Sequence, residues 1–591
     1  MALHEFDYLF AIGMIFAFLD AWNIGANDVA NSFATSVASR SLTYPQAMVI
    51  AALCEFLGSV LLGSRVADTI RNKILDVTLF EEAPATLLLA MVCAVIGSSL
   101  WLTLATRIGA PVSTTHSIVG AIIGSGIACF GTDGIVWGWD GFGKIVASWF
   151  IAPAIAGCFA AILFLITKYG VLQRGDKALR NAFYLLPVYY AFTAAVLSLV
   201  IVWKGAPSLN LDELSPGGIA GAVLGTVGVV VLLYVCFFLP YMRRRLIKDD
   251  WTMRWYHVFI GPTLWKRGPV PPAPPGVSAV PDFYSGHEAL PDPKEQIAAV
   301  NDEKIASTAI TNEEFDRAQT ENSGSGSSFE APTPAAEITP YQDPTERFVS
   351  RLAEFEKEGR EKKWYNPHGL LTRIMYGLTY GVRQDVISHQ LSGNGGFLAG
   401  DVAARNRAAP RYDNKVEYLY TFLQALTAGT LSFAHGSNDV SNAVGPLATI
   451  YIVWSKNIAG SKSDVPVWIL VYGGAAIVIG LWTYGYNLMR NLGNRLTLHS
   501  PSRGFSMELG AAITTVFATK LSLPISTTQC IVGATVFVGL CNNDFRAVNF
   551  RMVMWCYLSW ILTVPCAGII SGCICGIIIN APQFMAKYTM T

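Results

Sequence analysis

Asn27, Asp28 and Asn31, in the phrase GANDVAN at 25–31, return as Asn438, Asp439 and Asn442 in GSNDVSN at 436–442. Both phrases lie in apolar sequence. A carboxylate placed there costs several kcal/mol unless it is paired or hydrated, so each is a candidate ion site. Gly25 and Gly436 stand before the carboxylates and are expected to loosen the helix and free backbone carbonyls. Those carbonyls, with the side-chain oxygens of Asn27, Asp28, Asn438 and Asp439, form a hard oxygen set suited to Na+, and Asn31 and Asn442 extend it. Two other readings of the same residues stay open: Asn and Asp capping helices in a loop, and a proton relay through a buried carboxylate.

A second phrase is also written twice. ATRIGAPVSTTHSIVGA (105–121) aligns without gaps to ATKLSLPISTTQCIVGA (518–534), with ten of seventeen positions identical. Its copies lie 413 positions apart, and Asp28 and Asp439 lie 411 apart, so the chain carries an internal duplication. Pro111 and Pro524 interrupt the backbone, and Ser113-Thr114-Thr115 and Ser526-Thr527-Thr528 follow at once. Proline followed by hydroxyls is a helix start, with unpaired amides and the positive dipole end facing outward. Such a terminus binds anions, phosphate above all. The six hydroxyl residues, with Asn27 and Asn438, are therefore the candidate anion site. The competing reading is a Pro-kinked helix whose hydroxyls bond back to their own turn.

Five further residues are candidates for the ion pathway or its gates. Arg107 and Lys520 each precede the Pro by four positions, and either snorkel to the interface or attract the anion. Glu55 and Glu508 stand in apolar context without carboxylates at their repeat positions. His116 faces Gln529 across the repeat, so a titrating ring is not required in both halves. His435 precedes the second Asn-Asp motif where the first has Ile24, and pocket lining and packing are equal readings for both His.

The elements that must position these residues are membrane helices. Of 591 residues 52% are hydrophobic and 14% charged, and the mean hydropathy is +0.40. Apolar runs of about 20 residues, enough to cross about 30 Å of hydrocarbon, fall near 8–24, 46–64, 86–106, 144–167, 183–203, 217–241, 418–435, 466–486, 505–520 and 551–580. The stretches 109–130 and 524–541 bring the expectation to about twelve membrane segments in an all-α integral membrane protein. The formal net charge is zero, which gives nucleic-acid binding no electrostatic support. The eleven Cys lie in or beside apolar segments and read as soft packing residues, with no metal-ligand spacing. The first apolar run follows HEFD rather than a basic region and reads as a retained helix.

The chain divides into a first membrane half (1–241), a hydrophilic segment (242–415) and a second membrane half (416–591). Between 281 and 345 there are 3 Lys/Arg against 13 Asp/Glu, with PVPPAPPG and NSGSGSS nearby, so most of the middle segment is expected to be disordered. A helix from Asp343 to about 358 and interfacial pieces at 251–265 and 369–382 are the expected exceptions. The positive-inside rule places the loop 168–182 and the Arg243-Arg244-Arg245 triplet inside, so the middle segment is cytoplasmic. The N-terminus, with Glu5 and Asp7, is then outside, and the two halves run in inverted topology.

At these motifs the chain resembles the inorganic phosphate transporter (PiT) family of sodium–phosphate symporters, and its fungal high-affinity members most of all. GANDVANSFATS and PVSTTHSIVGA together carry the resemblance, which extends over essentially the whole chain. Gln529 in place of His, and Gly445-Pro446 where the first half has Ala34-Thr35, depart from strict symmetry. The family implies inverted repeats, re-entrant hairpins tipped by Ser-Thr-Thr at 109–130 and 524–541, a homodimer and the plasma membrane. It implies sodium-driven import of inorganic phosphate by alternating access, with Na+ as coupling ion, no cofactor and no metal beyond sodium. Proton coupling at the same carboxylates and a phosphate-sensing transporter-receptor are the alternatives. An enzyme is disfavoured because neither symmetric site supplies a matched His nucleophile partner.

Overall fold

A computed structural model describes residues 3–64, 67, 74–139, 141–204, 214–274, 277–284, 351, 354, 357, 367–391, 398, 400–459, 465–521, 523 and 525–581. Of the expected helix from Asp343, residues 351, 354 and 357 are described and are helical; its other residues and the acidic stretch from 285 to 345 lie outside the described residues. Among the described residues the structure is helical, and the sole β pairing is an isolated bridge between Leu75 and Ile135.

The helices that carry the argument are α1 (Asp7–Ala38), α2 (Tyr44–Leu62), α3 (Pro84–Ile108), α4 (Thr114–Phe130), α5 (Phe142–Thr167), α6 (Ala178–Lys204), α7 (Pro216–Leu233), α8 (Asn414–Lys456), α9 (Val467–Tyr484), α10 (Pro501–Lys520), α11 (Thr527–Leu540) and α12 (Phe550–Ile579). Nine helices among the described residues are long and apolar enough to cross a membrane. Buried polar residues hold α8 and α10 below that hydropathy, and α11 is too short.

Local chemistry sets the ends. Thr43 caps α2 in a reciprocal box with Gln46. Gly109, at φ +71°, closes α3 by taking its chain into the left-handed region, where the Gly109 amide reaches the carbonyls of Ala105 and Thr106. Five residues later a new helix starts. Ser113 accepts a hydrogen bond from the His116 amide and caps α4, and Ser526 accepts from the Gln529 amide and caps α11.

The two halves of the sequence exchange partners. α1 packs on α9, and α8 packs on α2; α4 packs on α12, and α11 on α5. α1 and α8 also lie against each other. Residues 1–241 and 416–591 thus share one helical body whose centre is the α1–α8 crossing.

The expected loosening at Gly25 and Gly436 does not occur. α1 and α8 run helically through both motifs, so the carbonyls there stay in the helical ladder, except that of Asn442, whose ladder donor position is Pro446. Away from water an unpaired backbone group is costly, and the ladder is the cheapest way to satisfy it. The glycines serve packing instead. A methyl group on Gly25 would overlap the Ile477 carbonyl of α9, and one on Gly436 would overlap the Glu55 carbonyl of α2. Gly480 and Gly58 repay the approach from the other side, against the Trp22 and Phe433 carbonyls. Small residues of this kind let backbones come together where hydrophobic driving force is absent.

Parts of the middle segment are ordered. Arg244 and Asp250 form a buried pair at 2.6 Å, and Phe283 and Tyr284 are buried against the start of α8. Pro367–Leu378 exposes Leu370, Leu371, Ile374 and Met375, and the 255–265 turn exposes Trp255, Phe259 and Trp265, the surface expected of interfacial pieces.

Candidate functional site

The α1–α8 crossing brings together all of the Asn-Asp and Ser-Thr-Thr residues. None of the twelve is more than 2% exposed, so the site is closed to both sides. Asp28 accepts hydrogen bonds from the Thr114 hydroxyl (2.8 Å), from Thr528 (3.2 Å) and from the Asn31 amide (3.0 Å). Asp439 accepts from the Thr527 hydroxyl (2.8 Å) and the Asn438 amide (2.6 Å). Each carboxylate is thus held by the first residue of a capped helix, where the positive dipole end favours it. Asn31 also donates to Thr528 at 2.8 Å, and Asn442 donates to Thr114 and Thr115 at 3.2 Å, so each motif reaches both tips or crosses to the opposite one. The tips meet as well: Thr115 donates to the Ile525 carbonyl and Thr528 to the Val112 carbonyl, both at 3.4 Å.

Asn27 donates to Thr106 and the Ala110 carbonyl, and Asn438 to the Ile525 carbonyl, which pins both amides and leaves their carbonyl oxygens buried with no hydrogen bond. The Asn31 carbonyl oxygen is in the same state. These oxygens face an interior in which a cation would satisfy them.

His435 is central. Its Nδ1 lies 2.7 Å from Glu55, and its Nε2 lies 3.0 Å from Asp439 and 3.8 Å from Asp28. Ligand atoms of Asp28, His435 and Asp439 all fall within 4.8 Å of one another. The sequence leaves His435 open between pocket lining and packing. The available signal was its spacing of four from Asp439, which puts both on one helix face. Glu55 is brought to this cluster and also accepts from Ser432 at 2.9 Å.

The remaining candidates sit elsewhere. Glu508 accepts from Thr35, Ser36, Thr427 and Gln424 at 2.6 to 3.0 Å, a fully satisfied carboxylate joining α10 to α1 and α8. His116 turns toward α5 and α12: its ring lies 4.0 Å from that of Trp149, and its Nδ1 lies 3.4 Å from the Trp560 carbonyl. Arg107 is exposed, and the side chain of Lys520 lies outside the described residues, as does Pro524.

Around this buried crossing of duplicated carboxylates and helix-capping hydroxyls, residues 24–571 match the Phosphate transporter family. The chain belongs to this family. It is 48% identical to the phosphate-repressible phosphate permease pho-4 of Neurospora crassa, over 99% of both chains. It is 30% identical to sodium-dependent phosphate transporter 2 of Homo sapiens, over 97% of this chain and 98% of that one. A solved structure titled the sodium-dependent phosphate transporter shares its fold at a TM-score of 0.61 and 23% identity, covering 97% of this chain and all of that one. Members of the phosphate transporter family matched here are permeases and transporters rather than enzymes.

Proposed function

We propose that this protein imports inorganic phosphate by sodium-coupled symport. The observation that carries the reading is the pair of buried carboxylates, each clasped by a hydroxyl at the start of α4 or α11. Phosphate binds between the two Ser-Thr-Thr tips, on hydroxyls and the first amides of each helix, which have no partner within the helix. Na+ ions bind beside it on Asp28, Asp439 and the carbonyl oxygens of Asn27, Asn31 and Asn438, with Asn442 holding the opposite tip. Glu55 and Glu508 fix the surrounding helices, and Arg107 and Lys520 stand at the hairpin ends.

Alternating access is supported by the closure of the site, which leaves opening to one side or the other as the route for cargo. The architecture we infer is about twelve membrane segments in two inverted repeats, with α3–α4 and α10–α11 as re-entrant hairpins. The N-terminus faces outside, the middle segment is cytoplasmic, and the membrane is the plasma membrane. A homodimer suits α7, where Gly221, Gly225 and Gly228 have nothing packed against them.

One observation favours a second reading, proton coupling: His435 joins Glu55 to Asp439 and could pass a proton between them. Uptake of radiolabelled phosphate into proteoliposomes separates the two. An inward Na+ gradient alone should drive accumulation. Accumulation driven only by an inward H+ gradient would overturn sodium coupling and make the carboxylates proton carriers.

A further inference from the structure

Among the described residues, one buried carboxylate has neither a task in the proposed transport nor a hydrogen-bond partner. Asp20 lies on α1 eight residues before Asp28, about 12 Å along the helix at 1.5 Å per residue. It is 0% exposed, and neither carboxylate oxygen makes a hydrogen bond. The hydroxyl of Ser98, on α3, is the side chain set against it. Ser98 also donates to Ser117 of α4 at 3.0 Å, one turn from Thr114, so the polar layer continues toward the central site.

Asn23 shares this face of α1, three residues on. Its amide nitrogen donates to the Leu19 carbonyl at 2.9 Å, the Thr103 hydroxyl at 2.9 Å and the Ser99 carbonyl at 3.3 Å. Two of the three partners are carbonyls, which only accept, and this fixes the amide the way it stands. Its Oδ1 is buried with no donor, the same condition as the carboxylate three residues before it on the helix. Two unsatisfied oxygen ligands on one face, with a hydroxyl opposite, suit a cation rather than a further hydrogen-bond acceptor.

We propose that Asp20, the Asn23 carbonyl oxygen and the Ser98 hydroxyl form a sodium site of their own, two helical turns from Asp28. One negative charge among neutral hard oxygens suits a monovalent ion; a divalent one would leave a buried positive charge. The site lies on the N-terminal side of the central cluster, and an ion there supplies the carboxylates of the crossing along the Ser98–Ser117 layer. This inference rests on the sodium coupling proposed above.

The test is equilibrium binding of radiolabelled Na+ to the purified full-length protein in detergent, beside Na+ activation of phosphate uptake in proteoliposomes. Asp20→Asn should bind one Na+ fewer per chain than the wild type. Its uptake should depend less steeply on Na+ concentration. Ser98→Ala, a milder change, should keep the stoichiometry and weaken one class of site several-fold; its isotherm decides the matter if Asp20→Asn fails to fold. Wild-type stoichiometry in Asp20→Asn, or an unshifted isotherm in Ser98→Ala, overturns the site and leaves sodium coupling standing. No Na+ binding to the wild type would overturn both.

Discussion

Thr114 and Thr527 donate to Asp28 and Asp439, and they are the hydroxyls a phosphate anion would need. Carboxylate and phosphate therefore compete for the same donors and repel each other. Two unit charges about 5 Å apart repel by roughly 3 kcal/mol at an effective dielectric near 20. On the sodium coupling proposed above, a cation that draws Asp28 away from Thr114 would remove both obstacles and so couple the two ligands. Asp28→Asn should abolish sodium-driven uptake in proteoliposomes while the protein stays folded. In the same variant, phosphate binding without sodium should tighten on the order of 100-fold, the equivalent of the lost repulsion. Calorimetric titration with phosphate checks this, and binding that stays as weak as the wild type's without sodium removes the electrostatic account. Sequence alone gave these residues because the duplication singles out each one twice. It did not give Asp20, which has Leu431 at its repeat position, although Asp20, Asn23, Asn27 and Asn31 make one polar stripe at spacings of three and four. Nor did it give the contact between His435 and Glu55, because 380 residues separate them and local periodicity carries no information on which helix faces which.

The helices α1 and α8 hold their carboxylates steady by running unbroken through the motifs, and glycine enters their function through thickness. The α1–α9 and α8–α2 crossings are close because Gly25, Gly480, Gly436 and Gly58 present bare backbone. Gly25→Ala and Gly436→Ala should each destabilise the folded protein, by roughly 1–3 kcal/mol for an overpacked contact, and should lower its melting temperature in detergent. Gly377→Ala, in the helix Pro367–Leu378, should leave it unchanged, since its added methyl meets nothing within 4 Å. Equal melting temperatures for all three variants would mean the crossings can part without loss. Here the sequence reading named the right residues for the wrong reason. Glycine in a soluble helix is a flexibility signal, but between membrane helices close approach wins, and only the partner helix reveals it. The capped starts of α4 and α11 were legible, because proline and hydroxyl spacing is a local rule.

The exchange of helices between residues 1–241 and 416–591 means that neither half completes the site, and the segment joining them has two parts with different roles. Phe283 and Tyr284 belong to the membrane body. The Phe283 amide donates to Asn414 at 3.2 Å, and the Tyr284 hydroxyl donates to Glu417 at 3.0 Å, just where α8 begins. Glu417 in turn accepts from the Ser502 amide at 2.8 Å, so this anchor ties α8 to the start of α10. The acidic stretch beyond it has a composition that buries little. Shortening such a loop changes its closure entropy only slowly with length. Deleting 285–340 should therefore leave initial rates of sodium-driven phosphate uptake near wild type, whereas deleting 281–340 should lose folded protein. Removing a buried large aromatic costs roughly 3–5 kcal/mol, and the longer deletion removes two. Comparing the variants for monodispersity in detergent and for uptake in proteoliposomes tests the boundary: equal behaviour would show that the anchor at Phe283 and Tyr284 does not position α8.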